Sequence, residues 1–325
     1  MNVIITGGDS NFFKFLKKFV ESLRKKALYK EKIIICDYVM KNRRFVEENS
    51  FSNNELNFFK NYDVEVISFY ELLEKNNISR ELIDMIHTQH NAYPFKFIYC
   101  CLISKDYLKK AENIYFFDAD CYFQKPIDPI FNQFKKDRIS VAPELIDFIH
   151  DPCMGEHIKV SDFSLLGSNS NFIDKMYDSP EFNTGFFGGK SEIFNKFTSL
   201  CWMLSTNNLI KFHSDQPLVN ILKSYFHYPM DEISNKFIYN ISYFQNRVTF
   251  DKINQIFKCN SSIPLVVRSD GPSKFLFKCD SFIPFVIHFN GPSRCLFDKY
   301  LSKEKLRRKI SRIGRRCIRK IIKKY

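Results

Sequence analysis

The chain has 325 residues, of which 45% are hydrophobic and 26% are charged, and this ordinary globular composition excludes wholesale disorder. The net charge of +13 is concentrated in residues 302–325, which hold twelve Lys or Arg against Glu304 and so carry +11. The first 301 residues therefore carry only 13 − 11 = +2. Nucleic acid is accordingly not an expected partner of the main part of the chain.

Two kinds of observation indicate the cellular compartment: whether the sequence contains membrane-spanning or signal segments, and how its cysteines are placed. No apolar run approaches the roughly 18 residues of a membrane-spanning helix. The first residues have no basic start before a long apolar stretch, so no signal peptide is expected. The ten cysteines form no CxxC pair, and several lie in apolar runs. We therefore expect buried free thiols rather than a zinc site, in a reducing cytoplasm.

Strands alternate with helices over the first 120 residues. Helical spacing of apolar residues between Phe12 and Leu23 predicts the first helix, and a second is predicted from Pro94 to Lys110. Short apolar runs predict the strands 3–6, 32–36, 64–69 and 113–117. This alternation is typical of an α/β protein with a largely parallel sheet, in which ligands bind at the carboxyl ends of the strands.

Fewer elements are predicted after residue 120. Strands are expected at 139–142 and 182–187, and a helix is expected to start within 213–220. Residues 146–180 are rich in Ser, Asp, Asn and Gly without a clear period, which predicts a long surface excursion.

An internal repeat occupies residues 256–294. Residues 256–274 match residues 276–294 at an offset of 20, and ten of the nineteen paired positions are identical. Each unit reads as an Ile-Pro-x-Val strand that runs into a Gly-Pro turn. Two copies are too few for a solenoid, so a duplicated hairpin is expected.

Two carboxylates follow the apolar strand 113–117. Asp118 and Asp120 are two residues apart, so in extended backbone they project to the same side. Carboxylate oxygens at the carboxyl end of a strand suit a hard divalent cation that also binds substrate phosphates. A DxD tripeptide also arises by chance in a chain of this size, and its position after a buried strand is what favours the metal site.

Three further motifs admit both a structural and a functional interpretation. Residues 181–189 form a strand whose glycines leave room for a close ligand, or else belong to a plain core strand. Asp215 and Gln216 lie at a helix start, where they serve as ordinary first-turn residues or face a ligand. His288, followed by a Gly turn and Arg294, could hold a metal and a diphosphate together, although a lone His is more often structural.

In their order, these motifs resemble the retaining GT-A glycosyltransferases over about residues 3–294. They are most similar to family 8, the glycogenin and bacterial lipopolysaccharide galactosyltransferase group. The stretch GGKSEIF at 188–194 is also similar to the blood-group transferase family, which has Glu where this chain has Gln216. The family's Pro-Trp after the last basic residue is replaced by Cys295-Leu296. The resemblance implies a Rossmann-like GT-A domain over 1–301, with a mostly parallel sheet and helices on both faces.

The resemblance also implies roles for individual residues. Asp118, Asp120 and His288 would bind Mn²⁺ or Mg²⁺. The positions that line the donor sugar, taken as the catalytic ones, match Asn183, Asp215 and Gln216. The positions that hold the uridine and diphosphate of a UDP-sugar correspond to Thr6, Gly7, Asp9, Asn11, Phe12, Lys96, Gly291 and Arg294.

The C-terminal tail, residues 302–325, predicts an amphipathic cationic helix. Its apolar residues recur at spacings of 4, 3, 4 and 4, from Leu306 to Ile321. Such a stripe on a basic helix is typical of an interfacial helix on an anionic membrane. A solubilising tail and an RNA-binding arm are the alternatives.

Taken together, the sequence predicts a metal-dependent glycosyltransferase that moves a hexose from a UDP-sugar to a glycan or glycolipid acceptor, with retention. We expect it to act in lipopolysaccharide or surface-glycan synthesis, as a cytoplasmic protein peripheral to the inner face of the cell membrane. A sugar-nucleotide pyrophosphorylase is one alternative, but residues 6–9 lack the basic triphosphate loop that it needs. A non-catalytic membrane or RNA adaptor is the other, and it leaves the acidic motifs unexplained.

Overall fold

The structure is a computed structural model. It describes residues 1–41, 44–46, 50–90, 94–147, 180–206, 215–224, 226–234, 236–240, 248–251, 253–260, 281–289 and 294–301. The chain divides into two compact units. The larger consists of Met1–Asn240 together with Phe285–His288, and the smaller of Ile241–Pro284 together with Phe289–Tyr325.

The described residues form fifteen strands and nine α-helices. The strands are β1 (Asn2–Gly7), β2 (Lys32–Asp37), β3 (Val39–Lys41), β4 (Arg44–Val46), β5 (Val64–Ser68), β6 (Asn113–Phe117), β7 (Cys121–Phe123), β8 (Ile139–Asp147), β9 (Pro180–Lys190), β10 (Met230–Glu232), β11 (Ile238–Asn240), β12 (Val248–Asp251), β13 (Ile256–Asn260), β14 (Ser281–Phe282) and β15 (Val286–His288). The helices are α1 (Phe13–Lys25), α2 (Asn53–Asn61), α3 (Phe69–Lys75), α4 (Arg80–His90), α5 (Phe95–Tyr107), α6 (Asp128–Phe131), α7 (Ser191–Ser205), α8 (Gln216–Ser224) and α9 (Arg294–Tyr300).

A seven-stranded sheet forms the centre of the larger unit, in the order β10-β8-β9-β6-β1-β2-β5. Strand β9 runs antiparallel to both of its neighbours, β6 and β8, whereas the other pairings are parallel. The predicted α/β class with a mostly parallel sheet is therefore confirmed. The carboxyl ends of β1, β2 and β6 meet at one edge of the sheet, where parallel sheets bind their ligands.

Helices cover both faces of this sheet, because successive side chains of its apolar strands point to opposite sides. In β6, Ile114 and Phe116 pack with α3, α4, α5, α7 and α8. Tyr115 and Phe117 pack on the other face with α1, α2 and α6. The wholly apolar sequence of β6 thus reflects burial on both sides.

A small sheet in the larger unit, of order β11-β15-β7, brings a distant segment to the end of β6. Strand β15 runs parallel to β11 and antiparallel to β7. In this register His288 lies opposite Asn240 on one side and Cys121 on the other. Since Cys121 directly follows Asp120, the pairing places His288 beside the DxD turn.

The smaller unit is built from an antiparallel sheet and aromatic packing. Strands β12, β13 and β14 pair in that order. The Phe257 ring lies 4.5 Å from that of Phe250 and 5.1 Å from that of Phe289, and Phe289 packs on Phe297 of α9. These tilted and edge-on rings form apolar packing within the described part of the unit.

Most of the predicted elements are observed, with shifted ends. The helix predicted from Pro94 to Lys110 is α5, which ends at Tyr107 and is followed by a turn in which Lys110 donates its amide hydrogen to Tyr107 O. In the second repeat unit, the single predicted strand is divided into β14 and β15 on either side of Pro284, which has no N–H to give to a ladder.

Several predictions fall partly or wholly outside the described residues. Most of the surface excursion at 146–180, most of the first repeat unit and the whole tail at 302–325 lie there. The predicted burial of free cysteines is confirmed for the six positions where the structure describes it, Cys36, Cys100, Cys101, Cys121, Cys201 and Cys259. Within the described ranges, no helix is long and apolar enough to cross a membrane.

Candidate metal and donor-sugar site

The DxD motif forms a tight turn between β6 and β7. Asp118 donates its amide hydrogen to Gly185 O, and Cys121 donates its own to Asp118 O, so the backbone is held at both ends of the turn. The side chain of Asp118 is 30% exposed, whereas that of Asp120 is only 2% exposed. The turn therefore presents one carboxylate to solvent and buries the other.

The imidazole of His288 closes the third side of this site. Its Nε2 lies 3.2 Å from Asp120 Oδ1 and 3.4 Å from Asp118 Oδ2. One ligand atom from each of the three residues lies within 4.8 Å of those of the other two. The structure thus brings together the three residues that the sequence predicted as metal ligands.

Burial and charge act in opposite directions on these groups. Burial would lower the pKa of His288, but the hydrogen bonds that it donates to Asp118 and Asp120, together with their negative charge, outweigh burial and raise this pKa to about 9. Burial would likewise raise the pKa of Asp118, but the charge of Lys96 and the hydrogen bond from His288 hold it below its usual range. The site therefore favours a positive charge between its carboxylates.

The donor set fits a divalent cation. A neutral imidazole has one unprotonated nitrogen, which carries a lone pair. When that nitrogen is His288 Nε2, its lone pair faces two carboxylate oxygens. A proton or a cation is needed to remove this repulsion. Two carboxylates with one imidazole suit Mn²⁺ and Mg²⁺, with further positions left for phosphate oxygens. Asp118, Asp120 and His288 could therefore hold such an ion.

Lys96, on α5, lies beside the DxD turn and links it to the start of α8. Its ammonium contacts the carboxylate of Asp215 and lies 3.2 Å from both Asp118 Oδ1 and Thr184 O. Burial would lower the pKa of Lys96, but Asp118 and Asp215 raise it above its ordinary value, so the ammonium stays charged. Thr184 donates a further hydrogen bond to Asp215.

A second polar group lies around Glu144, near the end of β8. Its carboxylate accepts a hydrogen bond of 2.8 Å from Asn183 Nδ2 and bonds of 2.8 and 2.7 Å from Asn240 Nδ2. Gln216 Nε2 adds a longer contact of 3.4 Å. We call these four residues, Glu144, Asn183, Gln216 and Asn240, the Glu144 amide cluster. It brings together two of the predicted donor-sugar residues, Asn183 and Gln216.

The N-terminal residues form a separate part of the site. Asp9 accepts hydrogen bonds from the backbone and side chain of Asn11, which fixes the 3-10 turn Ser10–Phe12. Ser10 donates to Ser50 Oγ, and Ser50 in turn donates to the Asp37 carboxylate at the end of β2. Burial raises the pKa of Asp37, and the hydrogen bonds from Ser50, which act to lower it, are outweighed. The segment is thus anchored to the sheet edge.

Other predicted nucleotide-binding residues have different surroundings. Thr6 is fully buried in β1, and a side chain at Gly7 would collide with the hydroxyl of Tyr99. Phe12 is half-buried. Arg294 is the exposed first residue of α9 in the smaller unit, and Gly291 lies outside the described residues.

The glycines of β9 lie against protein side chains. The sequence left open a strand that makes room for a ligand and a plain core strand, and the packing around Gly185 and Gly188 fits the core strand. A Cβ at Gly188 would lie 2.5 Å from the ring of Tyr115, and one at Gly185 would lie 2.4 Å from His288 Nδ1. Both glycines therefore allow close packing of side chains against the strand.

Sequence reasoning missed Glu144, Thr184 and Asn240. Glu144 comes two residues after the predicted strand 139–142, and the rule that singled out the DxD carboxylates could have indicated it. Asn240 carried no such signal, because β11 is a three-residue strand that is defined by its partner β15.

The fold resembles those of solved transferase structures. The apo structure of mouse xyloside xylosyltransferase 1 matches with a TM-score of 0.52 and 13% identity, over 90% of this chain and 98% of that chain. The galactosyltransferase LgtC, in complex with donor and acceptor sugar analogues, gives a TM-score of 0.47 and 11% identity, over 90% and 88% of the two chains. No family model and no curated protein matches the sequence. The first likeness, with the observed sheet, confirms the predicted GT-A fold.

Proposed function

We propose that the protein is a metal-dependent glycosyltransferase that moves a hexose from a nucleotide diphosphate sugar, UDP-linked, to a glycan or lipid-linked acceptor. The observation that carries this proposal is the meeting of Asp118, Asp120 and His288 at the carboxyl end of β6. Parallel α/β sheets bind nucleotides at this edge, and a divalent ion there can hold a diphosphate. The likeness to a xylosyltransferase fold supports the same class of reaction.

The roles of the residues follow from their chemistry. Asp118, Asp120 and His288 would hold Mn²⁺ or Mg²⁺, which when bound neutralises charge on a leaving diphosphate. Lys96 is fixed beside Asp118 by contacts to two carboxylates, so its charge is available without reorganisation. The family resemblance assigns further diphosphate contacts to Gly291 and Arg294, and this assignment stays a prediction.

The anchored N-terminal segment would bind the nucleoside. Asp9 and Asn11 offer carboxylate and amide groups that can hydrogen-bond a base or a ribose, and Phe12 adds an aromatic surface. Thr6 and Gly7 shape the strand end that leads into this segment. The bonds from Ser10 to Ser50 and on to the sheet keep the segment in one conformation, which lowers the entropic cost of binding.

Asn183, Asp215 and Gln216 would face the donor sugar. An amide oxygen is weakly basic, so Gln216 is a poor nucleophile, and Asp215 is held by Lys96 and Thr184. Attack by the acceptor on the face that the diphosphate leaves is therefore favoured over a covalent intermediate, and it gives retention. Positioning and charge stabilisation supply most of the catalysis in this mechanism.

The setting of the enzyme forms a second part of the proposal. Residues 1–301 make up the transferase, and residues 302–325 attach it to anionic lipid on the cytoplasmic face of the cell membrane. Each basic residue near such a surface contributes about 1 kcal/mol. This location suits an acceptor that is lipid-linked, as in the synthesis of lipopolysaccharide or another surface glycan.

Calorimetry tests the core of the proposal directly. The full-length protein should bind UDP in the presence of Mn²⁺ and lose that binding when EDTA is added. A panel of nucleotide sugars, including a xylose donor because of the xylosyltransferase likeness, should then be screened for slow donor hydrolysis. Absence of both UDP binding and donor hydrolysis would refute the function.

A further inference from the structure

The Glu144 amide cluster joins four separate elements around one buried carboxylate. Glu144 is 8% exposed on β8, and its hydrogen-bond donors come from β9, β11 and α8. Asn183 and Asn240 are themselves buried, at 2% and 1% exposure. Buried polar side chains that satisfy one another in this way fix a single arrangement.

The charge of Glu144 determines which way the amides point. An ionised carboxylate only accepts hydrogen bonds, whereas an amide side chain has a donating NH₂ and an accepting oxygen. Each neighbour must therefore turn its NH₂ toward Glu144 and its oxygen away. Asn183 shows the result, since its Oδ1 accepts a hydrogen bond of 2.7 Å from Gly185 N.

We propose that Glu144 is a positioning residue that fixes the amide orientations of Asn183 and Gln216 toward a bound donor sugar. This inference rests on the function proposed above. Glu144 acts through the amides, which present fixed dipoles to the substrate. Dipoles that need not reorient during a reaction stabilise its transition state more than mobile ones do.

The substitution Glu144→Gln tests this role, because it keeps the shape and removes the all-acceptor character. Gln offers one oxygen and one NH₂, so at least one neighbouring amide must turn or lose its partner. We expect kcat to fall by about tenfold or more, with UDP–Mn²⁺ affinity within about twofold of wild type. A kcat within about twofold of wild type in a folded variant would overturn the proposal.

Two comparisons separate positioning from a structural role. Asn195→Ala removes amide hydrogen bonds to Cys101 O and Ser104 Oγ, between α7 and α5 and away from the cluster. It should lower the melting temperature and leave kcat unchanged. Glu144→Asp keeps the charge but shortens the side chain, so it should retain more activity than Glu144→Gln. The reverse order would mean that side-chain volume matters rather than acceptor character.

A readout independent of activity separates this inference from the function itself. In protein labelled with ¹⁵N-Asn and ¹⁵N-Gln, Glu144→Gln should shift the side-chain amide resonances of Asn183 and Gln216, and Asn195→Ala should not. Unchanged resonances would refute the positioning role. If the wild type hydrolyses no nucleotide sugar, the proposed function fails, and the resonances still decide whether Glu144 orients the amides.

Discussion

The imidazole of His288 occupies the space that a side chain at position 185 would need, since a Cβ on Gly185 would lie 2.1 Å from His288 Cε1. Strand β9 thus passes directly against the ring that completes the candidate metal site. The absence of a side chain at Gly185 is therefore a condition for the position of His288.

Gly185→Ala should weaken metal binding, because the ring of His288 must move away from Asp118 and Asp120. Changes that reorient a metal ligand typically cost about 10- to 100-fold in affinity, and we expect a loss of this size in Mn²⁺ titrations. Gly189→Ala is the matched control on the same strand, since its nearest neighbour would be Arg138 O at 3.3 Å. Equal Mn²⁺ affinities in the two variants would contradict the argument.

Asp120→Asn should abolish Mn²⁺-dependent UDP binding while the protein remains folded. Asp120 is buried against His288. The isosteric amide keeps the packing and removes one of the two anions that face the imidazole. Calorimetry with UDP and Mn²⁺ measures the binding, and near-ultraviolet circular dichroism checks the fold. Unchanged UDP–Mn²⁺ affinity would exclude Asp120 as a ligand.

Lys96→Met should destabilise the protein more than the loss of an ordinary surface pair. Removing a buried cation leaves Asp215 and Asp118 without their shared partner, which costs about 3 kcal/mol in the free energy of unfolding. Lys75→Met breaks an exposed pair with Asp106 and should cost less than about 1 kcal/mol. Urea unfolding of both variants without added metal tests this difference, and similar midpoints would show that the buried pairing contributes little.

The two repeat units should differ in function, because His288 in the second corresponds to Arg268 in the first. Arg268 lies outside the described residues, but its guanidinium has no lone pair to offer a cation. His288→Ala should therefore lower donor hydrolysis by at least about a hundredfold, and Arg268→Ala by less than about threefold. Comparable losses would indicate that both copies work in the reaction.

Deletion of residues 303–325 should abolish sedimentation with anionic liposomes and leave donor hydrolysis near wild type. Binding of the full-length protein should weaken as salt rises, since charge attraction is screened beyond about 8 Å at physiological ionic strength. The apolar stripe should leave a salt-resistant fraction. A full-length protein that ignores anionic liposomes at low salt would favour the RNA-binding arm, and filter binding to RNA would then be measured.

Local patterns predicted the elements that are long or wholly apolar. The bounds of β6 match the prediction, and α5 was found because its apolar run is long and Pro94 marks its start. The three-residue strands β7, β11 and β15 are too short for any period to show, and their pairing depends on tertiary register. The position of His288 beside the DxD turn was therefore predicted from the family resemblance and not from local pattern.

The Glu144 amide cluster shows the same limit. Each of its members is an unremarkable polar residue in sequence, and its partners lie between 39 and 96 residues away along the chain. Only Asn183 and Gln216 were predicted as site residues, and that prediction came from the resemblance. The carboxylate that orients them becomes visible only when β8, β9 and β11 are placed side by side.

The pairing of β15 with β7 also affects how the protein is made. Asp118 and Asp120 leave the ribosome about 170 residues before His288, and the whole stretch from Ile241 to Pro284 is synthesised between them. The larger unit therefore cannot complete its small sheet, and the candidate metal site lacks its third ligand, until residues 285–288 have emerged. A nascent chain truncated before residue 285 should fold its central sheet yet bind Mn²⁺ poorly, so metal capture would be a late event in biosynthesis.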